Sequence, residues 1–343
     1  MSTISDVAKL AGVSTMTVSR VVNNSGYISQ ETRERVEKAI AELGYVPNAL
    51  ARYLRFKQTK TIALILTDIT NPFFTTIARG VEDVAREQGF SVMFCNTDES
   101  ETEESEYLNV LLQKQVDGML LVPACESSES IALLRARAVP FVLLDRRVKG
   151  APVDLVACDS EPGAYQLVRH LLDLGHRHIA VLSGSRTVST AVDRVAGYRR
   201  AMREAGIAEE DQIVFFDRFT QGDGYRMAQQ ALAHAPRPTA LFAANNFIAF
   251  GAFQAIRAAG LSVPEDISLV SFDDLPHLLM IEPFLTVVAQ PAYEIGQRAA
   301  ELLLDRLAGE GPPEPQEILL PTELIVRRSS GPPPAVERAS GAQ

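Results

Sequence analysis

The chain opens with three short stretches in which apolar residues recur every three or four positions, the spacing of one helical face. The first stretch begins after a helix-capping pair, Thr3 and Asp6, and ends at Gly12. Ser29 and Gly44 bracket the third stretch. These signals predict three helices, whose inward stripes are Ile4, Val7, Ala8 and Ala11, then Val18, Val21 and Val22, then Val36, Ala39, Ile40 and Leu43.

A different pattern begins near residue 61, where short apolar runs alternate with helical stretches. Continuous apolar strands that alternate with helices indicate parallel sheets covered by helices on both faces. The runs fall into two series, which predicts an α/β body of two similar lobes, each a doubly wound parallel sheet. The predicted strands are 61–67, 90–95, 118–122, 141–144 and 155–157 in the first lobe, and 178–182, 213–216, 240–243, 268–272 and 286–289 in the second.

The composition fits a soluble protein of two or three domains. Of the 343 residues, 46% are hydrophobic and 22% are charged, and no apolar run approaches the roughly 18 residues of a membrane helix. The first six residues lack the basic and apolar pattern of a signal peptide. The three cysteines lie 30 and 33 residues apart, which favours free thiols in a reducing cytoplasm over disulfides or a zinc site.

Charge is distributed unevenly along the chain. Residues 1–60 carry nine basic and five acidic side chains, a net charge of +4. The remainder carries 24 basic and 38 acidic side chains, a net charge of −14. Phosphate attracts the first segment and repels the second. A surplus of four charges is modest, so charge alone does not decide between nucleic-acid binding and a plain helical domain.

The first two predicted helices are joined by a tight turn at Gly12, which is the spacing of a helix-turn-helix. Because the valines of the second helix face inward, its opposite side is free to enter a major groove. The outward residues at the start and side of that helix are Thr15, Met16, Ser19 and Arg20. Arg20 can donate two hydrogen bonds to a guanine edge. Taken alone, the same pattern also fits a three-helix domain with a solvated face.

Two segments of the chain resemble the LacI/GalR family of bacterial repressors. The segment 4–23, ISDVAKLAGVSTMTVSRVVN, resembles the family's DNA-binding head, and the segment 44–55, GYVPNALARYLR, resembles its hinge. The resemblance continues almost to the C-terminus. It implies a sequence-specific transcriptional regulator, a repressor, that binds palindromic double-stranded operator DNA as a homodimer.

The hinge segment also has a physical logic of its own. Asn48 can cap a helix that runs to about Arg55, but two helical turns are marginally stable alone in water. The resemblance implies that this helix folds beside its dimer mate on DNA, with Leu54 wedged into a central minor-groove step. Ala51 allows the two helices to approach closely, and Arg55 can contact phosphate. The alternative is an ordinary linker helix in which Leu54 packs on the body.

Polar and aromatic side chains follow the predicted strands, at the edge where doubly wound folds bind ligands. Carboxylates, amides and guanidinium groups can pair with adjacent hydroxyls, and aromatic rings can stack on the C–H face of a sugar. Each of these residues also has a structural alternative as a cap, an ion-pair partner or a core side chain. The residues concerned are Phe73, Phe74, Asp145, Arg146, Arg194, Phe219, Asn245, Asp273 and Gln290.

The family resemblance implies what these strand ends bind. It implies a periplasmic-binding-protein-like body that holds a small sugar or sugar-like effector between its lobes, so that closure of the lobes changes operator affinity. The positions match those of ribose-binding-like and purine-binding members, and Asp145 and Arg146 together with 71–74 favour a sugar. This chain departs from the family at Asn246, where many members have an aspartate.

The predicted domain boundaries combine these patterns. A helix-turn-helix domain spans 1–46, a hinge helix and linker span 47–60, and the effector-binding and dimerisation body spans 61–330. The chain is expected to cross between lobes near 159–162, at 290–291 and at about 319. The N-lobe is thus about 61–160 and 291–318, and the C-lobe about 161–290 and 319–330. Residues 331–343, rich in proline at their start, are predicted to be a flexible tail.

Signals for catalysis and metal binding are weak. The sequence contains no GxSxG, GxxxxGK[ST] or HExxH motif. His176 and His178 are explained by a polar turn that enters a strand, and Asp273, Asp274 and His277 by a cleft and a surface. The alternative function is an enzyme that binds or converts a sugar, but such an enzyme has no use for a DNA-binding head. We therefore expect no catalytic residue, no metal and no cofactor.

Overall fold

The structure is a computed structural model that describes residues 2–22, 25–45, 58–127, 129–150, 152–274 and 283–334. The chain forms two compact units, Met1–Thr59 and Lys60–Gln343. Most of the hinge predicted at 47–60 lies outside the described residues. This applies to all four hinge positions expected to contact DNA, which are Asn48, Ala51, Leu54 and Arg55.

The first unit contains the three predicted helices, α1 (Ile4–Ala11), α2 (Thr15–Val22) and α3 (Gln30–Leu43). Thr3 and Asp6 form a reciprocal capping box at the start of α1, and Ser29 caps α3. Val7, Val18 and Val36, one from each helix, are completely buried. The local capping signals and the apolar stripes therefore set both the ends of these helices and the faces that they bury.

The second unit contains twelve strands and eight α-helices among the described residues. In chain order they are β1 (Thr61–Leu66), α4 (Pro72–Glu87), β2 (Ser91–Asn96), α5 (Glu101–Lys114), β3 (Gly118–Leu121), α6 (Glu129–Ala136), β4 (Phe141–Leu144), β5 (Leu155–Cys158), α7 (Ser160–Asp173), β6 (Ile179–Ser183), α8 (Ser189–Glu204), β7 (Ile213–Phe216), α9 (Gln221–Leu232), β8 (Ala240–Ala243), α10 (Asn246–Ala258), β9 (Ser268–Phe272), β10 (Thr286–Ala289), α11 (Ala292–Ala308), β11 (Glu317–Leu320) and β12 (Glu323–Ile325).

The strands form two six-stranded sheets, one in each lobe. The strand order is β11-β5-β4-β3-β1-β2 in the N-lobe and β12-β10-β9-β8-β6-β7 in the C-lobe. Their central strands are buried along their whole length, as the continuous apolar runs predict. The predicted two-lobed α/β fold is therefore confirmed, and the carboxyl ends of the parallel strands in each sheet lie at one edge.

Two strands were not predicted. Both β11 and β12 are short, with no more than three consecutive apolar residues each, so neither stands out as a continuous apolar run. The last strand also runs antiparallel to β10, with Val287 opposite Ile325, which is an exception to the all-parallel prediction. Because β11 joins the N-lobe sheet and β12 the C-lobe sheet, the chain passes between the lobes for the last time between Leu320 and Glu323.

The start of the predicted flexible tail is packed against the C-lobe. The Gly331 nitrogen donates a hydrogen bond of 3.0 Å to the Ser268 hydroxyl, and the Gly331 carbonyl accepts one of 2.8 Å from His176 Nε2. Ser329, two residues before it, is completely buried. The prediction of a tail from residue 331 was therefore wrong at its first position, because the side chains of Ser268 and His176 hold the backbone of Gly331. Residues 335–343 lie outside the described residues.

The stability of this anchor should depend on pH. Burial lowers the pKa of His176 below its usual value, so the unfolded chain binds more protons than the native chain once the pH falls below about 6.5. The stabilising contribution is complete above that pH and is lost as the pH falls. We expect His176→Gln to unfold at lower urea concentration at pH 7.5, but to lose less stability between pH 7.5 and 5.5 than the unmodified chain.

A matched variant separates this effect from the general response to acid. His234 is an exposed histidine of the same lobe, and His234→Gln should follow the pH dependence of the unmodified chain. Equal pH slopes for His176→Gln and the unmodified chain would show that His176 does not contribute.

The sequence also predicts free cysteine thiols and no membrane-spanning helix. Cys95, Cys125 and Cys158 are all free thiols. Within the described ranges, none of the helices has both the length and the apolar character that a bilayer crossing requires.

Candidate DNA-binding helix and effector cleft

The second helix of the head has one buried and one accessible side. Val18 and Val21 are buried, whereas the Met16 side chain is 61% exposed. Thr15 and Arg20 are exposed and Ser19 is half-buried. The four residues predicted to enter a major groove thus all lie on the accessible side of α2, which is the geometry that their predicted role requires.

A cavity of about 140 Å³ lies between the two lobes at the carboxyl ends of their strands. Loops that follow β1, β2 and β4 supply its N-lobe wall, and loops that follow β8 and β9 contribute to its C-lobe wall. Eight of the nine effector residues predicted from the sequence line it, namely Phe73, Phe74, Asp145, Arg146, Arg194, Phe219, Asn245 and Asp273. Gln290 is the exception, since its side-chain amide donates to the carboxylate of Asp273 instead.

Two buried arginines are held rigidly at this cavity. Arg146 donates two hydrogen bonds to Glu99, of 2.9 and 2.6 Å, and a third of 3.1 Å to the Pro123 carbonyl. Arg194 donates a hydrogen bond of 2.6 Å to the Ala244 carbonyl. Both terminal nitrogens of Arg146 and the Nη1 atom of Arg194 are held in this way, whereas the Nε atoms of both arginines have no hydrogen-bond partner. They are therefore preorganised donors.

Two buried carboxylates lie opposite these donors. Asp145 directly follows β4 of the N-lobe sheet, and Asp273 directly follows β9 of the C-lobe sheet. Both have left-handed backbone conformations, with φ values of 62° and 70°. Non-glycine residues rarely adopt this conformation, and such residues cluster at functional sites. Burial raises the pKa of both carboxyls, although the nearby guanidinium of Arg194 opposes that shift in each case.

The cavity is rich in polar atoms without partners. Among the described residues, seven buried side-chain nitrogen or oxygen atoms make no hydrogen bond. Four of them belong to residues that line this cavity, and they are Thr67 Oγ1, Asp145 Oδ1, Arg146 Nε and Arg194 Nε. An unpaired buried polar group costs about 1–3 kcal/mol, so a ligand that supplies both donors and acceptors would be favoured here.

Aromatic rings form the apolar part of the wall. The Phe73 and Phe74 rings meet edge to face, with centroids 5.1 Å apart, and both side chains extend into the N-lobe core. Phe219 packs into the C-lobe core, and its ring centroid lies 5.9 Å from the Arg146 guanidinium. Each of these rings therefore belongs to a hydrophobic core and also lines the cavity, so packing in the core does not exclude the predicted contact with a ligand.

Three asparagines organise the junction of the lobes. Asn71 caps α4 and Asn245 caps α10 through their side-chain oxygens. Asn71 and Asn246 also exchange two amide hydrogen bonds across the lobes, of 2.9 and 3.3 Å. The departure from the family at Asn246 therefore forms part of a neutral amide pair that joins the N-lobe to the C-lobe.

Sequence reasoning missed several residues that line the cavity, which are Thr67, Asp68, Asp98, Glu99, Thr190 and Thr220. Asp98 and Glu99 follow β2, so the strand-end rule applied to that strand would have found them. The omission of Glu99 matters most, because this carboxylate holds Arg146 in place.

Two groups of residues have side chains that could bind a metal, namely His176 with His178, and Asp273 with Asp274 and His277. His176 bonds to Thr239 and Gly331, and Asp274 forms a bidentate ion pair with Arg327. No cluster of three metal-ligating side chains occurs among the residues that the structure describes. His277 lies outside those residues.

Comparisons with known proteins identify the family. The family described as bacterial regulatory proteins, lacI family, matches residues 3–48, and the periplasmic binding protein-like domain matches residues 168–330. The HTH-type transcriptional regulator DegA of Bacillus subtilis (strain 168) is 39% identical over 334 residues, which cover 96% of this chain and 98% of DegA.

Two similar solved structures contain bound ligands. The lac repressor dimer bound to operator and the anti-inducer ONPF has a TM-score of 0.84 and 31% identity, and the match covers 96% of this chain and 99% of the repressor. A LacI family transcriptional regulator from Enterococcus faecium with bound ribose has a TM-score of 0.71 and 34% identity, over 79% and 99% of the two chains. The chain therefore belongs to the lacI family of bacterial regulatory proteins and is a DNA-binding transcriptional regulator rather than an enzyme.

Proposed function

We propose that this regulator is a homodimeric repressor whose affinity for a palindromic operator is controlled by an uncharged small sugar bound between the lobes. The observation that carries the effector proposal is the set of unpaired buried polar atoms, contributed by Thr67, Asp145, Arg146 and Arg194. Acceptors and donors without partners line one cavity, and a polyol carries hydroxyls that can serve both. The relative from Enterococcus faecium binds ribose in a similar body.

The charge of the cavity favours a neutral ligand over a phosphorylated one. Its lining contains two guanidinium groups, which belong to Arg146 and Arg194, but five carboxylates, which belong to Asp68, Asp98, Glu99, Asp145 and Asp273. A phosphate would meet this surplus of negative charge at short range. The volume of about 140 Å³ also lies below the usual range for larger ligands, so a single sugar ring suits the site.

Ligand binding would favour the closed arrangement of the lobes. Asp145 and Arg146 belong to the N-lobe, whereas Arg194 and Asp273 belong to the C-lobe, so one ligand would bond to both. Direct contacts already join the lobes. The Arg147 guanidinium forms an ion pair with Asp193, and the Arg147 backbone nitrogen donates to the Ser189 hydroxyl. A ligand that binds only the closed form shifts the population of lobe arrangements. We propose that this shift changes operator affinity.

The dimer proposal has support on the body as well as in the relatives. The strand β2 is an edge strand of the N-lobe sheet, and its Met93 and Phe94 side chains are 37% and 45% exposed. Exposed apolar side chains on a sheet edge are typical of a surface that a partner covers. Since bacterial DNA lies in the cytoplasm, we expect the dimer to act there.

Ligand binding is tested first by a thermal-shift screen of the full chain with sugars, sugar phosphates, nucleosides and purines. A bound ligand raises the melting temperature by mass action. A neutral sugar should produce the largest shift, and it should change operator affinity in a filter-binding titration. A shift with purines or sugar phosphates but with no sugar would contradict the proposal for the effector while leaving the DNA-binding function intact.

The predicted recognition residue is tested on DNA. We expect Arg20→Ala to weaken specific operator binding by about 1–3 kcal/mol, because it removes two hydrogen bonds to a base edge. Binding to random DNA should change much less. Arg33→Ala is a control that removes the same charge from α3 of the head. If discrimination between operator and random DNA is equal in the Arg20 variant and the unmodified chain, Arg20 does not read a base.

A further inference from the structure

A second concavity, of about 480 Å³, lies on the outer face of α8 in the C-lobe. Residues spaced three or four apart along α8 form one wall, and the opposite wall comes from the loop after β6, the end of β7 and the start of α7. The lining residues are Glu161, Arg186, Val192, Val195, Ala196, Arg199, Arg200, Arg203 and Phe216. We call this surface the arginine concavity. It does not share any residue with the effector cleft.

The charge of the arginine concavity is the opposite of that of the cleft. Four guanidinium groups face a single carboxylate, Glu161. Arg200 is already neutralised, since its Nε donates to Glu204 at 3.2 Å and its Nη1 lies 3.8 Å from Glu161. Among the ion pairs of the described residues, none involves Arg186, Arg199 or Arg203. Three cations therefore remain without a carboxylate partner in one depression.

This clustering contrasts with the rest of the body. Among the described residues of the second unit, twelve arginines form an ion pair with Asp or Glu, and residues 61–343 carry a net charge of −14. Acidic side chains are thus abundant, yet the two that lie at this place, Glu161 and Glu204, both pair with Arg200. Arg199 and Arg203 are also four residues apart on α8, where like charges repel. An anion would relieve this repulsion.

The floor of the arginine concavity is partly apolar, which indicates what kind of anion it can bind. The Val192 side chain is 43% exposed in it, and Ala196 lies one turn further along α8. Arg186 stacks on the Phe216 ring at 4.0 Å, an arrangement that leaves the edge of the guanidinium free to donate. The volume falls within the range of small-molecule pockets. A ligand with an anionic head and a partly apolar body would fit these surfaces.

We infer that the arginine concavity binds a small phosphorylated metabolite, whose phosphate is held by Arg199 and Arg203 with Arg186, and whose body lies against Val192 and Ala196. Arginine pairs bidentately with phosphate oxygens, which makes a phosphate monoester a better match than a carboxylate. This site is independent of the proposed effector cleft, whose surplus of carboxylates selects against the same ligand.

The inference is tested by calorimetric titration of the full chain with glucose 6-phosphate at constant ionic strength, with glucose as the uncharged comparison. The double variant Arg199→Ala, Arg203→Ala should weaken binding of glucose 6-phosphate by about tenfold or more, because two charge-assisted contacts are lost. The matched control is Arg237→Ala, Arg257→Ala, which removes the same charge from exposed positions of the same lobe and should retain affinity within about twofold. Asp273→Ala, in the cleft, should also retain it.

Five results would overturn the inference. Equal weakening by the two double variants would show a general effect of charge, and loss of binding in Asp273→Ala would place the ligand in the cleft. Equal affinity for sulfate would indicate an adventitious ion only. Absence of binding at millimolar concentrations would show that no small phosphorylated ligand has a site there. Displacement by random double-stranded DNA would show that the surface binds phosphate groups in general. If the double alanine variant folds poorly, the double variant Arg199→Gln, Arg203→Gln replaces it. Arg199 and Arg203 are both exposed, so the polar glutamine side chains can be accommodated there.

Discussion

Replacement of Asp273 by alanine should abolish the response to the effector while leaving DNA binding without effector intact within about twofold. The Asp273 carboxylate lines the cleft, accepts a hydrogen bond from Gln290 and lies 3.9 Å from Arg194 Nη1. If it accepts hydroxyls of a sugar, its loss removes one or two charge-assisted hydrogen bonds of about 1.5–3 kcal/mol each. Effector affinity should then fall by about 100-fold or more, measured by calorimetry with the sugar found in the thermal-shift screen.

Two further variants make this result interpretable. Asp273→Asn keeps the size of the side chain and removes its charge, so it separates the hydrogen-bonding role from a packing defect. Asp274→Ala changes the neighbouring carboxylate, which pairs with Arg327 and does not line the cleft cavity, and its effector response should be normal. A normal response in Asp273→Ala, or an equal loss in Asp274→Ala, would refute the assignment of the cleft.

The same carboxylates give effector binding a pH dependence. Burial raises the pKa of both Asp145 and Asp273. Their charged forms, which accept hydrogen bonds best, are therefore lost at a higher pH than those of ordinary aspartates. Effector affinity should decline as the medium becomes acidic, and the decline should begin above the pH range in which exposed carboxyls are protonated.

Replacement of Gly251 by alanine should destabilise the C-lobe by about 3 kcal/mol or more. The helices α9 and α10 cross at Gly224 and Gly251, where their backbones touch. A β-carbon at position 251 would overlap the Gln221 carbonyl oxygen and come within 2.5 Å of the Tyr225 nitrogen. Both obstacles are backbone atoms, which cannot rotate away, so the helices would have to separate and lose their packing.

Urea unfolding of the two glycine variants tests this prediction. Gly222 lies in the first turn of α9, and the nearest atom to a β-carbon there is Thr220 Oγ1 at 4.0 Å. We expect Gly222→Ala to be neutral or to stabilise the chain by up to about 1 kcal/mol, because alanine is the better helix former. If Gly251→Ala is no less stable than Gly222→Ala, the close helix crossing does not exist in solution.

The sequence by itself determined the helices of the head and the frame of the body. Capping is a local interaction, so Thr3 with Asp6 and Ser29 mark helix starts without knowledge of the fold. A continuous apolar run such as β1 has to be buried on both faces, which specifies a central strand of a parallel sheet. Since ligands bind at strand ends, the same local pattern also located Asp145 and Arg146.

Other features depended on the tertiary structure, because they join residues that are distant in the chain. Glu99 holds Arg146 across 47 positions, and no local pattern pairs those two side chains. The short strand β12 acquires its antiparallel partner only when the chain has crossed to the C-lobe. The contact of Gly251 with α9 likewise follows from how two helices cross.

The arginines illustrate the same division. The sequence shows Arg186, Arg199, Arg200 and Arg203 as ordinary members of an acidic body. The pair of Arg200 with Glu204, four residues apart on α8, can be read from the sequence. Only the fold brings Arg200 to Glu161 and leaves the other three arginines in a concavity without a carboxylate partner. Periodicity and capping act over a few residues and can be read from the sequence, whereas the pairing of charges that are distant in the chain depends on the geometry that packing sets.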